Sequence, residues 1–439
     1  MNFFITNIRT SNYLNQLTTS LIFKLLAALS FFILIPVLID YLGREKYGVW
    51  STLLSISSWV VIFDFGIGNG LRNKVSESIA KNKWRKAQEF VSTSYCIIGV
   101  VMFFLLIIST QLSSYVPWER VFNTSLISSG DIRLIVNITL IFVLTNFFLS
   151  LMNQVAHGVQ KTSVVVMNQF FSNVISLISI YILSKYTDSS IFLISVVYGS
   201  SILSSNILVT AFFYHKHRKL IPKLSMFKTT RIQPLFSLGL KFFVLQVAVI
   251  ILFSTDKLII TQFLGPSYVV NYDIVFTLFS VVTVFHGVIV TPLWSAYSNA
   301  FHKDDYYWMR NMMKNQIRFF GFLILFTLGL TLITPLIIRN WIGADFAVNW
   351  KLIVVAAFFV LILSWNNIFA LFLNGINQFK LQLRSSIVAM LINIPLSIIF
   401  IRYFNMEGEG VLLATIISLG IFAVLGPIQV KRLLSEGCS

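Results

Sequence analysis

Apolar runs, each roughly twenty residues long, recur along the chain with short polar gaps between them. A hydrocarbon core about 30 Å thick needs roughly 20 residues at 1.5 Å each, so every such run predicts a membrane-spanning helix. The expected spans are 18–42, 48–66, 88–112, 133–157, 162–184, 190–214, 235–263, 269–292, 315–338, 351–374, 381–402 and 409–430. The runs are continuous rather than alternating, which favours helices over a β-barrel. Leu21 to Leu42 is too long for a signal-peptide core and no small-x-small cleavage site follows it, so it reads as a retained first span.

The charges between the runs set an orientation. Of the 33 Lys and Arg residues, 22 fall in one alternate set of gaps and 8 in the other, with Lys24, Lys241 and Lys257 inside spans. Positive charge collects on the cytoplasmic side. The expectation is an even number of spans with both termini in the cytoplasm. Only 11% of the 439 residues are charged, against about a quarter in a soluble domain, so most of the surface faces something other than water. The net charge of +17 lies in short loops, where it sets topology and attracts anionic membrane lipids; no soluble domain is left to carry nucleic-acid binding. Cys96 falls in a span and Cys438 at the tail, and no metal-ligand spacing exists, so neither a disulfide framework nor a metal site is expected.

The richest basic gap runs from His215 to Pro234 and reads as a cytoplasmic linker. It divides the chain into an N-terminal bundle of six helices (1–214), the linker (215–234) and a C-terminal bundle of six (235–439). The halves share local patterns. Leu42-Gly43 matches Leu264-Gly265, and at that same offset Lys81 and Trp84 match Lys303 and Tyr306. Gly158-Val159-Gln160 resembles Gly375-Ile376-Asn377, at a slightly shorter offset. Six spans per half makes this a parallel repeat, an architecture that usually places substrate between the halves near mid-membrane.

Ionisable groups inside spans are the sharpest candidates, because each costs about 2.5–3.5 kcal/mol at the bilayer centre on insertion scales. Lys24 lies about 9 Å into the first span at 1.5 Å per residue. It reads either as a cation receiving an anionic headgroup or as a lysine snorkelling back to the interface. Its counterpart, at the offset that relates Leu42 to Leu264, is the uncharged Gln246. Asp256 and Lys257 are neighbours in the seventh span. Lys257 can bind an anion while Asp256 tunes it or takes up a coupling proton, or the two can form ion pairs with other helices. Asp64 sits in Phe63-Asp64-Phe65-Gly66-Ile67-Gly68-Asn69-Gly70-Leu71-Arg72-Asn73. The glycines permit a break or close backbone approach, and an Asp64–Arg72 contact would gate the cytoplasmic mouth. Lys241 near the mouth, Asp273 and His286 are weaker candidates. Asn146, Asn153, Gln154, Asn168, Gln169, Asn173, Asn366, Asn367, Asn374 and Asn393 also fall in spans, either as glue between helices or as hydrogen-bonding partners for sugar hydroxyls.

There is no P-loop, no HExxH and no GxSxG, so neither direct ATP use nor an enzyme is expected. With these features the chain resembles the O-antigen and polysaccharide flippase family of the multidrug/oligosaccharidyl-lipid/polysaccharide exporter superfamily. The resemblance rests on the Asp64 motif above, on Leu38-Ile39-Asp40-Tyr41-Leu42-Gly43-Arg44-Glu45-Lys46-Tyr47-Gly48, on Thr255-Asp256-Lys257-Leu258-Ile259-Ile260 and on Leu373-Asn374-Gly375-Ile376-Asn377. It implies an all-α integral membrane protein of about twelve transmembrane helices in the bacterial inner membrane. The implied activity is translocation of an undecaprenyl-pyrophosphate-linked oligosaccharide by alternating access, with a cationic cavity for the pyrophosphate. It implies Lys24, Asp64, Arg72, Asp256 and Lys257 as functional positions, no cofactor beyond an H⁺ or Na⁺ coupling ion, and a polysaccharide polymerase and chain-length regulator as candidate partners. The competing expectations are an ion-coupled multidrug exporter of the same superfamily, which would use acidic cavity residues, and a non-transporting scaffold for glycan assembly.

Overall fold

The computed structural model describes residues 8–436, apart from 291–292, 344–345, 347, 377 and 379; Cys438 lies outside the described residues. Among the described residues the regular structure is helical, with no strand. Eleven segments among the described residues are long and apolar enough to cross a membrane. One of them, Thr18–Asp64, has 47 residues; at 1.5 Å each that is about 70 Å, enough for two crossings. The break between the two falls in helix α1 (Ile8–Ser57) at Gly43, whose φ of 72° and ψ of 169° lie far from helical values.

The chain forms two compact units, Met1–Gln246 and Val247–Ser439. The first holds α1, α2 (Ile67–Ala80), α3 (Trp84–Leu112), the short α4 (Trp118–Phe122), α5 (Ser129–Gly158), α6 (Thr162–Tyr186), α7 (Ile191–Lys216) and the start of α8 (Ile232–Ser254). Its core gathers Leu71, Val75, Phe90, Val91, Met152, Val155 and Phe213. The second unit holds the end of α8, then α9 (Asp256–Phe263), α10 (Ser267–Val290), α11 (Leu293–His302), α12 (Tyr306–Trp341), α13 (Trp350–Gly375), α14 (Lys380–Phe404) and α15 (Gly408–Glu436). Tyr297, Met309, Phe369, Phe372 and Leu373 centre its core. Outward faces are as apolar as the interiors: Phe103, Phe104 and Ile107 on α3, and Leu325, Leu328 and Leu332 on α12, are exposed. Such faces suit lipid, not water.

The basic stretch after α7 is not a loose tether. Its three short 3-10 turns, Arg218–Leu220, Leu224–Met226 and Thr229–Arg231, are fastened to the first turns of α3. Gln88 donates to the Ile221 carbonyl at 2.8 Å, the Lys223 amide donates to Ser92 at 3.0 Å, and the Lys228 amide donates to Thr93 at 3.2 Å. Arg231 grips Glu89 at 2.7 Å, and Leu220 is fully buried. The stretch belongs to the first unit, and the division between units falls within α8.

Several local conformations recur at matching positions of the two units. Gly43 and its counterpart Gly265 both have positive φ with nothing near the position of a Cβ. Asn82 and Asp304, related by the same offset, both take left-handed backbone, at φ 56° and 54°. Gly158, ending α5, packs against α2: a Cβ there would lie 2.9 Å from Val75 and 3.0 Å from the Arg72 carbonyl. Gly375, ending α13, packs against α11 in the same way, 2.9 Å from the Trp294 carbonyl and 3.0 Å from Tyr297. Trp294 and Tyr297 are the counterparts of Arg72 and Val75 at the offset that relates Gly43 to Gly265. Each unit thus contains the same close helix contact at a glycine.

Candidate functional site

In the first unit, Lys24 lies at the margin of the α1 face formed by Phe23, Ala27 and Ser30. Phe23 meets Phe170 of α6 at 5.5 Å, and Asn173 of α6 donates to the Ala27 carbonyl at 2.8 Å. Lys24 is half-buried, and its ammonium forms no ion pair with any described carboxylate. Asp64 is buried, and both its oxygens accept from the Gly68 amide, at 2.9 and 3.1 Å. That places a carboxylate at the amide-rich end of α2, where the helix dipole favours negative charge. The turn before α2 needs Gly66, which has φ 76°. Gly70 admits the Leu235 carbonyl of α8, which would strike a Cβ. Arg72 is exposed and pairs with no described carboxylate, so Asp64 and Arg72 do not close a gate in this structure.

The second unit separates Asp256 from Lys257. A break at Thr255 divides the expected seventh span into α8 and α9, and Asp256 opens α9. Tyr272 of α10 donates to Asp256 Oδ2 at 2.7 Å, while Oδ1, buried, has no partner. Lys257 pairs instead with Asp273 of α10 at 2.7 Å. Its positive charge is therefore neutralised within its own unit. The Lys241 side chain lies outside the described residues.

His286 is fully buried on α10, with its ring parallel to that of Phe319 at 6.4 Å. It lines a cavity of ≈ 400 Å³ walled also by Ser364, Asn366, Asn367, Gln382 and Ser385. His286 Nε2, Ser364 Oγ, Asn366 Oδ1 and Gln382 Oε1 are buried without a hydrogen-bond partner. One such atom costs about 1–3 kcal/mol, and four of those in this structure gather around this one cavity. The Asn366 amide is oriented by its own structure: Nδ2 donates to the Leu419 carbonyl at 3.0 Å, leaving Oδ1 as the open acceptor. Ser364 and Ser385 escape a reading that weighs only charged and amide groups, and Gln382 escapes it at the very start of the expected span 381–402. The signal is their spacing: 364 and 367 on α13, and 382, 385 and 386 on α14, repeat at helical period on one face.

The spans of this helical membrane protein enclose buried polar groups without partners. The chain is similar over its whole length to an inward-facing multidrug resistance MATE family transporter of the MOP superfamily, with TM-score 0.76 and 12% identity, covering 97% of this chain and 98% of that one. This likeness shows the fold. The chain belongs to the polysaccharide biosynthesis protein family, whose model matches residues 14–297. Among its relatives is a Yersinia pseudotuberculosis protein named "Putative O-antigen export protein", 24% identical over 79% of each chain. Another, from Salmonella typhi, is named "Putative O-antigen transporter" and is 22% identical over 85% of this chain and 86% of its own.

Proposed function

We propose that this membrane transporter moves an undecaprenyl-pyrophosphate-linked oligosaccharide across the bacterial inner membrane by alternating access, with both termini cytoplasmic. The relatives' names supply the cargo class. The observation within the chain that carries the reading is Lys24, a half-buried cation in a membrane-spanning helix with no described carboxylate against it. An intramembrane cation without a fixed counter-ion suits a cargo that brings its own negative charge, as a pyrophosphate does. Lys257, paired with Asp273, is reserved for holding α9 to α10. Asp256, buried with one oxygen unpartnered, is the group we assign to a coupling proton. A drug-cation exporter would need carboxylates in its cavity, and none lines the cavity of the second unit.

The test is surface glycan display in a host lacking its own flippase, with protein level monitored. The wild-type chain restores display and Lys24→Ala abolishes it at normal protein level. Failure of the wild type in every repeat-unit background tried, or full display by Lys24→Ala, overturns the reading.

A further inference from the structure

We propose that the cavity of the second unit is a binding site for uncharged sugar residues of the cargo; this rests on the lipid-linked glycan reading above. The volume, ≈ 400 Å³, lies in the range of small-molecule sites. The wall mixes polar with apolar groups and carries no Lys, Arg, Asp or Glu. A phosphate, a uronic acid or an organic cation would enter without a compensating charge, which is prohibitively costly away from water. A neutral ligand avoids that cost. Of the unpartnered atoms the carbonyl oxygens of Asn366 and Gln382 accept, while the Ser364 hydroxyl and the His286 ring nitrogen can donate or accept. They suit a ligand with several hydroxyl groups at short spacing, and a pyranose ring presents these. Phe253 and Phe422, also in the wall, offer apolar surface to the C–H face of a sugar. In the first unit, by contrast, Asn146, Asn168 and Asn206 pair with one another.

The cavity would then read the neutral sugar of the cargo. Two measurements test this in the full-length protein. The first is glycan display by a Ser364→Ala/His286→Leu/Gln382→Leu variant, which removes atoms without partners inside the protein and so is expected to fold. Display is expected to fall at least tenfold at normal protein level, while Phe358→Ala, on an exposed apolar position, leaves it unchanged. The second uses a Ser386→Cys variant, at a half-buried position in the cavity wall, in a Cys96→Ser/Cys438→Ser background, labelled with N-ethylmaleimide in nanodiscs. The probe is the lipid-free oligosaccharide released by mild acid from the glycan that the wild type displays. It is expected to slow labelling severalfold. If the wild type restores no display, the flippase reading falls and takes this one with it. If display is restored but the triple variant matches wild type and the oligosaccharide gives no protection, the cavity holds only water and this proposal alone is overturned.

Discussion

One cluster of buried amides in the first unit differs from the matching positions of the second. In the first, Asn168 donates to Asn206 at 2.7 Å, Asn206 donates to Asn146 at 3.0 Å, and Ser205 donates to Asn168 at 2.8 Å. The network ties α5, α6 and α7 together and is closed. In the second, Ser385 stands at the position matching Asn168 and Leu363 at the position matching Asn146, taking the offset of Gly158 to Gly375, and both line the cavity. At these matched positions one unit has mutually satisfied amides and the other a cavity with unpartnered acceptors, although Asn153 Oδ1 in the first unit is also unpartnered and Asn393 in the second donates to Thr415 at 3.0 Å. Asp64 and His286, counterparts at the offset of Gly43 to Gly265, repeat the contrast: the carboxylate is satisfied by a backbone amide, while the imidazole keeps one nitrogen open. Polar residues within spans therefore have no uniform meaning. A closed network holds helices together, and an open one invites a ligand.

The shared contact between units is the place to strike hardest. Gly158→Val and Gly375→Val each push a side chain into backbone and Val75 or Tyr297, at a cost near the upper end of the 1–3 kcal/mol range for overpacking, about 3 kcal/mol. Both are expected to lower the melting temperature in detergent by similar amounts. If one were neutral, the two contacts would not be equivalent. Lys257→Met comes next. It strands the buried Asp273, and because the lysine side chain is itself 26% exposed the cost should fall to about 2 kcal/mol, below that of a fully buried pair. Lys257→Met/Asp273→Leu should recover most of the loss, and a double variant no better than the single would deny the pair its role.

The amide contrast itself predicts a smaller, asymmetric result. Asn206→Ala unpairs Asn168 and Asn146 and should cost about 1–3 kcal/mol. Ser364→Ala removes a hydroxyl with no partner and should stay within about 0.5 kcal/mol. Equal losses would erase the distinction between closed and open networks. The smallest effect belongs to Glu77 on the surface of α2. Hydrogen bonds from Lys81 at 2.8 Å and Lys74 at 3.0 Å draw its carboxyl from an ordinary 4.5 down to about 2. With the folded value depressed, its contribution is complete above pH 4.5 and disappears as pH falls toward 2. Glu77→Gln should remove that share of acid sensitivity and change neutral-pH stability by under about 0.5 kcal/mol. A larger shift in thermal melting at pH 7 would show the pair contributing more than an exposed one can.

The sequence makes the membrane-spanning pattern legible because each span must supply its own apolar length and satisfy its own backbone. It also makes the Gly43 and Gly265 breaks legible, since few residues but glycine accept positive φ without strain. It conceals partnership. Lys257 stands beside Asp256 in the chain, yet successive side chains on a helix point about 100° apart, and the turn between α9 and α10 brings Asp273 to it instead. The break at Thr255 carries no glycine or proline to announce it. The cavity is hidden for a different reason. Its defining property is that certain atoms lack neighbours, and only packing in three dimensions decides that.

The bound connector after α7 has a practical meaning for anyone wishing to produce the halves as separate polypeptides. The stretch that most resembles a loop, 217–231, is the wrong place to cut. A nick there would detach from α3 the backbone groups that occupy Gln88, Ser92 and Thr93 and the arginine that neutralises Glu89. An N-terminal fragment that keeps this strap should assemble better than one that stops at the end of α7.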